Sequence, residues 1–425
     1  MAHQVLIVDD QPGIIATLSS ILADEGYETL TTESGEEALE IYQRERPDVV
    51  FLDIWLPDRD GLETLEAIRK VDDSAAVIMI SGHGTASTAV RAIKLGALDY
   101  IEKPLSYEQV IKAASSALEH RVDPSGRLAR EADRVEPKRQ PSPPPELPQL
   151  QVGKEPQRTL RKNTVIYGLG LHSGTRTGMV LQPLPPDHGI HLLTIPGGTL
   201  LPAHVRAVAD TEYATTLSRN GESIRTVEHL LSALHAAGVT NLLIKVHGEI
   251  PVLDGSAAEF CRMLREVGVE DQDVPRKDLV VDRRYRVGSG DKTLVLEPYD
   301  GFSVSYLLRY PPPVGEQSYR FELGSFEAYE NEIAPARTFG FMRDLKMLNE
   351  LGLGSGGRLD NFILVGEDNV INTDLRFPDE FARHKILDII GDLYLLGYPI
   401  RGKVTASLTG HRDNIAVLRQ ILAAG

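Results

Sequence analysis

The chain has 425 residues, 42% of them hydrophobic, a formal net charge of −16 at pH 7 and one cysteine. That length allows two to four domains with sizeable cores, and a lone Cys261 excludes an internal disulfide framework or a cysteine-rich zinc site. The acid excess argues against nucleic acid as a partner; no apolar run is long enough for a transmembrane segment, and a reducing, cytoplasmic setting is expected.

The charge is uneven. Residues 1–121 hold 10 Lys+Arg and 22 Asp+Glu, a net of −12, which points to two modules with different tasks. Within this stretch short apolar runs at 5–8, 49–52, 77–80 and 100–101, and a weaker one at 28–31, read as strands. Helical patterns at 13–25, 35–46, 61–70, 86–94 and 106–120 separate them. Five such units predict an α/β doubly wound five-stranded parallel sheet, with its ligand beyond the carboxyl ends of the strands. Asp9 and Asp10, Asp53, Ser81 and Lys103 with Pro104 stand at those ends. Clustered carboxylates suit a hard cation such as Mg²⁺, a lysine there suits an incoming phosphoryl group, and Asp53 is the expected nucleophile.

This constellation, together with Pro57, Gly61 and Tyr100, resembles the receiver domain of two-component response regulators. The resemblance implies a domain over 1–121 with Asp53 as phosphoacceptor and Mg²⁺ held by Asp10 and Asp53. It implies Asp9, Ser81, Tyr100 and Lys103 in support and a sensor histidine kinase as partner.

Prolines at 124, 137, 141, 143, 144, 145, 148 and 156, with charged residues between them, predict a solvated tether over 122–157. Beyond it, strands at 177–181, 241–246 and 293–296 and helices at 227–237, 257–267 and 381–396 keep no βαβ rhythm, so a multidomain chain ending in an α+β region is expected. The charged run 276–286 suggests a seam near Asp282, dividing this region into 158–281 and 282–425.

The stretch 383–392 reads as an apolar helix in which His384, Asp388 and Asp392 fall at i, i+4 and i+8. Each step drifts only about 40° around the axis, so the three share one edge. Such an edge suits a metal ion, and equally suits solvated or ion-paired side chains. Three further segments can complete a site: 226–230 with Glu228 beside His229, 410–414 with His411, and 336–341 with a hydroxyl and aromatics.

With the loops 168–174 and 253–257, these motifs resemble the zinc-dependent UDP-3-O-acyl-N-acetylglucosamine deacetylases, which catalyse the committed step of lipid A synthesis in Gram-negative bacteria. The resemblance runs from about Gln157 to the C-terminus. It implies His229, His384 and Asp388 as Zn²⁺ ligands, Glu228 as general base, and His411 as general acid with its ring held by Asp392. It further implies Thr338 as oxyanion donor, and Lys385 and Phe339 at the nucleotide-sugar end of the substrate UDP-3-O-acyl-N-acetylglucosamine. Two similar α+β domains with helices sandwiched between their sheets are implied, with an insert at about 341–366 where Leu345, Leu348 and Leu351 line an acyl passage or serve as ordinary core. His172 has no partner at ligand spacing, and the segment 210–215, which departs from a cysteine-containing form of the family, is expected to matter little for chemistry. The expected activity is amide hydrolysis regulated by phosphorylation of Asp53. The alternative is a phosphorylation-responsive signalling scaffold that binds nucleotide sugar or a partner without turnover.

Overall fold

The computed structural model describes residues 2–82, 86–120 and 146–424; most of the expected tether, 121–145, lies outside the described residues. These form two compact units, the first built on residues 2–120 and the second on most of the chain from 146 onward.

The first unit follows the predicted rhythm: β1 (Gln4–Val8), α1 (Pro12–Asp24), β2 (Glu28–Thr32), α2 (Gly35–Glu45), β3 (Val49–Asp53), α3 (Gly61–Val71), β4 (Val77–Ser81), α4 (Ala86–Lys94), β5 (Asp99–Glu102) and α5 (Tyr107–His120). The sheet order is β2-β1-β3-β4-β5, and all pairings are parallel. Alternate strand residues face opposite layers. Val5, Ile7, Phe51 and Ile78 pack with Leu18 and Ile21 of α1 and Val110 of α5. Leu6, Val8, Leu52 and Met79 pack with Tyr42 of α2 and Leu65 of α3. Ser34 and Asp60 cap α2 and α3 by accepting hydrogen bonds from the first-turn amides of Glu37 and Leu62.

After residue 146 come β6 (Leu150–Leu160), β7 (Thr164–Leu169), β8 (Arg176–Pro183), β9 (Ile190–Thr194) and β10 (Leu200–Pro202). A small meander follows, β11 (Val208–Asp210), β12 (Thr216–Arg219) and β13 (Glu222–Ile224), then α6 (Glu228–Ala237), β14 (Leu242–Val246) and α7 (Ala258–Val267). The long β15 (Val269–Val280) leads to β16 (Tyr285–Ser289), β17 (Lys292–Glu297), β18 (Phe302–Arg309), β19 (Glu316–Glu322) and α8 (Phe326–Glu332). The chain closes with β20 (Phe339–Phe341), α9 (Leu345–Glu350), β21 (Ile363–Val365), α10 (Glu380–Leu393), β22 (Ile400–Ser407) and α11 (His411–Ala424).

One mixed sheet runs β10-β9-β14-β8-β7, and a second runs β16-β17-β22-β15-β6, with β18 and β19 added through β22. The expected seam near residue 282 falls in the short connection between β15 and β16. The tether reading needs a correction: residues 150–157 are the first part of β6, paired antiparallel with β15. β6 is an edge strand, and Pro156 sits opposite Pro275 where the register shifts, so neither proline interrupts a ladder that needs its missing N–H.

α10 lies against β18 and β19 and packs on α6. The two helices touch where Gly391 meets the Glu228 carbonyl; a Cβ on Gly391 would stand 2.0 Å from that oxygen. Gly391→Ala is therefore expected to force the helices apart at a cost of about 1–3 kcal/mol, seen as a lowered Tm in thermal denaturation.

Candidate active site and metal centre

α6, α10, α11 and the segment leading into β20 meet at one buried point. Glu228 and His229 open α6 and are 2% and 4% exposed, although both are polar. α10 presents His384, Asp388 and Asp392 along the edge its periodicity predicts, all three buried. His411 opens α11.

The Nε2 atoms of His229 and His384 stand 3.7 and 3.5 Å from Asp388 Oδ1. One ligand atom from each of the three lies within 4.8 Å of the others. Ligands about 2.1 Å from one tetrahedral ion stand roughly 3.4 Å apart, so the spacing fits. The valences fit too. His384 Nδ1 bonds the Ala336 carbonyl at 3.1 Å, which assigns the proton to Nδ1 and turns the Nε2 lone pair inward. Asp388 Oδ1 is buried and has no hydrogen-bond partner among the described residues. An orphaned carboxylate oxygen facing two imidazoles is costly unless a cation completes it. Burial pushes the His384 imidazole down to about 3, so it is a neutral donor. Burial works against the Asp388 charge, but the Lys385 ammonium and the His411 imidazolium outweigh it and hold the group well below the carboxylate range.

Beside this trio stand Glu228 and His411. Burial raises the Glu228 carboxyl above its ordinary value, against the attraction of His411 and His229. For His411 burial disfavours the cation, yet Asp392, Asp388 and Glu228 prevail and raise it to about 10. Its Nδ1 is 2.8 Å from Asp392 Oδ2, and its Nε2 is 3.8 Å from Glu228 Oε1 and 3.9 Å from Asp388 Oδ2. Asp392 also accepts from the Thr215 hydroxyl at 2.6 Å and from Asn414 Nδ2 at 2.8 Å, so both its oxygens are engaged with neighbours.

Two of these partners escape sequence reasoning. Thr215 lies in the segment expected to matter little, yet it ties Asp392 to Glu228, whose Oε2 accepts its backbone N–H at 3.1 Å. Asn414 is one turn beyond His411 on α11, a spacing that could have flagged it.

A cavity of about 310 Å³ opens over the trio. Thr338, Phe339 and Lys385 line it, and the Lys385 ammonium is 2.9 Å from Asp388 Oδ2 and 5.3 Å from the Phe339 ring centre. Leu345 and Leu348 lie on its wall with Phe341 and Phe362; Leu351 does not, and is 55% exposed. His172, set aside in the sequence for want of a ligand partner, is buried in the same wall.

At the carboxyl ends of the first unit's strands, Asp9, Asp10 and Asp53 bring carboxylate oxygens within 4.8 Å of one another. Lys103 Nζ lies 2.7 Å from both Asp9 and Asp53. Burial raises Asp9 to about 6, with Lys103 opposing and Asp53 adding to the rise. Ser81 is buried at the end of β4 and Tyr100 half-buried on β5, both where the sequence puts them. Trp55, the only tryptophan of the chain, is 62% exposed and its backbone N–H reaches Asp53 Oδ1 at 3.3 Å. A saturable change in intrinsic fluorescence is expected on Mg²⁺ titration of the wild type, with a flat response in Asp53→Ala.

The sequence pattern of the response regulator receiver domain matches residues 5–115, and that of UDP-3-O-acyl N-acetylglycosamine deacetylase matches residues 157–423. The UDP-3-O-acyl-N-acetylglucosamine deacetylase of Anaeromyxobacter dehalogenans is 44% identical over 270 residues, covering 63% of this chain and 87% of the relative. That of Myxococcus xanthus is 43% identical over 272 residues, covering 63% and 86%. The solved receiver domain of NtrX from Brucella abortus is 46% identical, covering 27% of this chain and 98% of that one, with a TM-score of 0.27. The chain belongs to the UDP-3-O-acyl N-acetylglycosamine deacetylase family, and a receiver domain precedes its deacetylase region.

Proposed function

We propose that this chain removes the N-acetyl group of UDP-3-O-acyl-N-acetylglucosamine, releasing acetate and the free amine, with Zn²⁺ held by His229, His384 and Asp388. The observation that carries this reading is the meeting of two imidazole nitrogens on one orphaned carboxylate oxygen, with Glu228 and His411 alongside. When bound, zinc polarises the amide carbonyl and acidifies water. Glu228, raised by burial, accepts the proton of the attacking water. His411 enters as the cation and gives its Nε2 proton to the departing amine, while Asp392, braced by Thr215 and Asn414, fixes the ring and its charge. Thr338, which lines the cavity, would donate its hydroxyl proton in a hydrogen bond to the oxygen that gains charge. Lys385 and Phe339 meet the nucleotide-sugar end, and the apolar wall at Leu345 and Leu348 takes the acyl chain.

The set of ligands, base and acid is intact, which favours turnover over a scaffold that only binds. Acetate release by the purified full chain on this substrate tests the reading; tight substrate binding without release would favour the scaffold. The setting we propose is the cytoplasm of a Gram-negative-type bacterium, with a sensor histidine kinase as partner. In the receiver, Asp10 and Asp53 would hold Mg²⁺, with Asp9 and Lys103 shaping the pocket around the Asp53 nucleophile. Phosphorylation there is expected to change turnover. An acyl-phosphate donor should alter the rate in wild type and leave Asp53→Asn unaffected; equal rates in both would count against regulation in cis.

A further inference from the structure

We infer that Glu249 is a positioning residue for the deacetylase site: it clamps the segment that carries Glu228 and His229 to the loop that forms the opposite cavity wall. This rests on the function proposed above.

Glu249 is 3% exposed, and its carboxylate binds His172, Ser173 and Thr226, none of them a proposed ligand, base or acid. Its Oε1 accepts the His172 amide at 3.0 Å and the Thr226 hydroxyl at 3.0 Å. Its Oε2 accepts the Ser173 amide at 2.9 Å. The space around it is closed: a Cβ on Gly170 would lie 2.4 Å from Oε2. The loop it holds passes the restraint on, because the Leu171 and His172 carbonyls accept the Gly356 and Ser355 amides of another wall of the cavity, at 3.0 and 3.3 Å.

On the other side stands Thr226, whose φ of +61° puts a β-branched residue in the left-handed region. Threonine adopts that conformation only when its surroundings impose it. Two restraints are visible. The flanking Arg225 is bridged to the segment 248–250 by its N–H to the Gly248 carbonyl and by the Ile250 N–H to its own carbonyl. The Thr226 hydroxyl is bound to Glu249. Two residues later the chain delivers Glu228, and three residues later His229, so a small rotation at Thr226 displaces the base and a metal ligand together.

Glu249→Gln keeps the shape but places an amide –NH₂ against either the Ser173 N–H or the His172 N–H and Thr226 hydroxyl, so it always sets donor against donor. Thr226→Val removes the hydroxyl and keeps the branch; Thr226→Ser keeps the hydroxyl. In the full-length zinc-loaded protein, Glu249→Gln and Thr226→Val should each lower kcat between about tenfold and 100-fold, well below their Tm, and Thr226→Ser should remain near wild type. In the Co²⁺-substituted proteins the visible ligand-field absorption should shift in the first two variants and match wild type in Thr226→Ser. A Thr226→Val protein as active as Thr226→Ser, with an unshifted spectrum, overturns the inference, and this pair decides it if Glu249→Gln fails to fold. If wild type itself shows no turnover, the proposed function fails, and the Co²⁺ spectra alone decide the role of Glu249.

Discussion

His384→Ala or Asp388→Ala is expected to strip the protein of its metal and to leave less than about one thousandth of wild-type turnover. Among the described residues of the deacetylase region, the two imidazoles and the carboxylate are the set whose ligand atoms come within 4.8 Å of one another. Removing one leaves two ligands, too few for a site that must also keep a position open for water. The two variants should differ in stability. His384 is buried and neutral, and its loss leaves a cavity and an unpaired Ala336 carbonyl. Asp388 is the ion-pair partner of Lys385 at 2.9 Å, with the carboxylate fully enclosed. Its removal leaves a mostly buried ammonium without a counter-charge, at a cost of about 3–5 kcal/mol. Metal per chain by elemental analysis, turnover, and thermal denaturation of both variants check all three statements. Retained metal with lost activity in both would show that these residues act in some other way.

Glu228→Gln and His411→Ala should lower kcat by about 10²–10⁴-fold with metal content unchanged. Neither residue belongs to the trio, and each has its own anchor: Thr215 N–H for Glu228 and Asp392 for His411. Glutamine keeps the volume and an acceptor for that N–H but cannot take a proton from water. Alanine at 411 removes the proton donor and leaves the Asp392 carboxylate with Thr215 and Asn414. The contrast with the first pair is the informative part, since loss of metal in Glu228→Gln would make Glu228 a ligand and not a base.

The sequence makes the receiver sheet legible because its strands are buried on both faces and end in polar residues at regular intervals, a pattern set by local chemistry alone. His384, Asp388 and Asp392 are legible for the same reason: helix geometry converts four-residue spacing into one edge. His229 and His411 become partners of that edge only through the family motifs, since nothing local links α6 or α11 to α10. Thr215 is harder still. Its hydroxyl partner is 177 residues away, and its segment between β11 and β12 carries no periodicity. β6 was hidden because Pro156 and its charged neighbours mimic a linker, while the β15 residues that make it a strand come more than 100 positions later. His172 looked idle because the carboxylate that fixes its backbone is 77 residues on.

The most direct test is to remove the metal from the full-length protein by chelation and follow acetate release from UDP-3-O-acyl-N-acetylglucosamine before and after adding back Zn²⁺. Turnover should vanish with the metal and return at about one zinc per deacetylase site. Near-native release by the stripped protein would contradict the assignment of His229, His384 and Asp388.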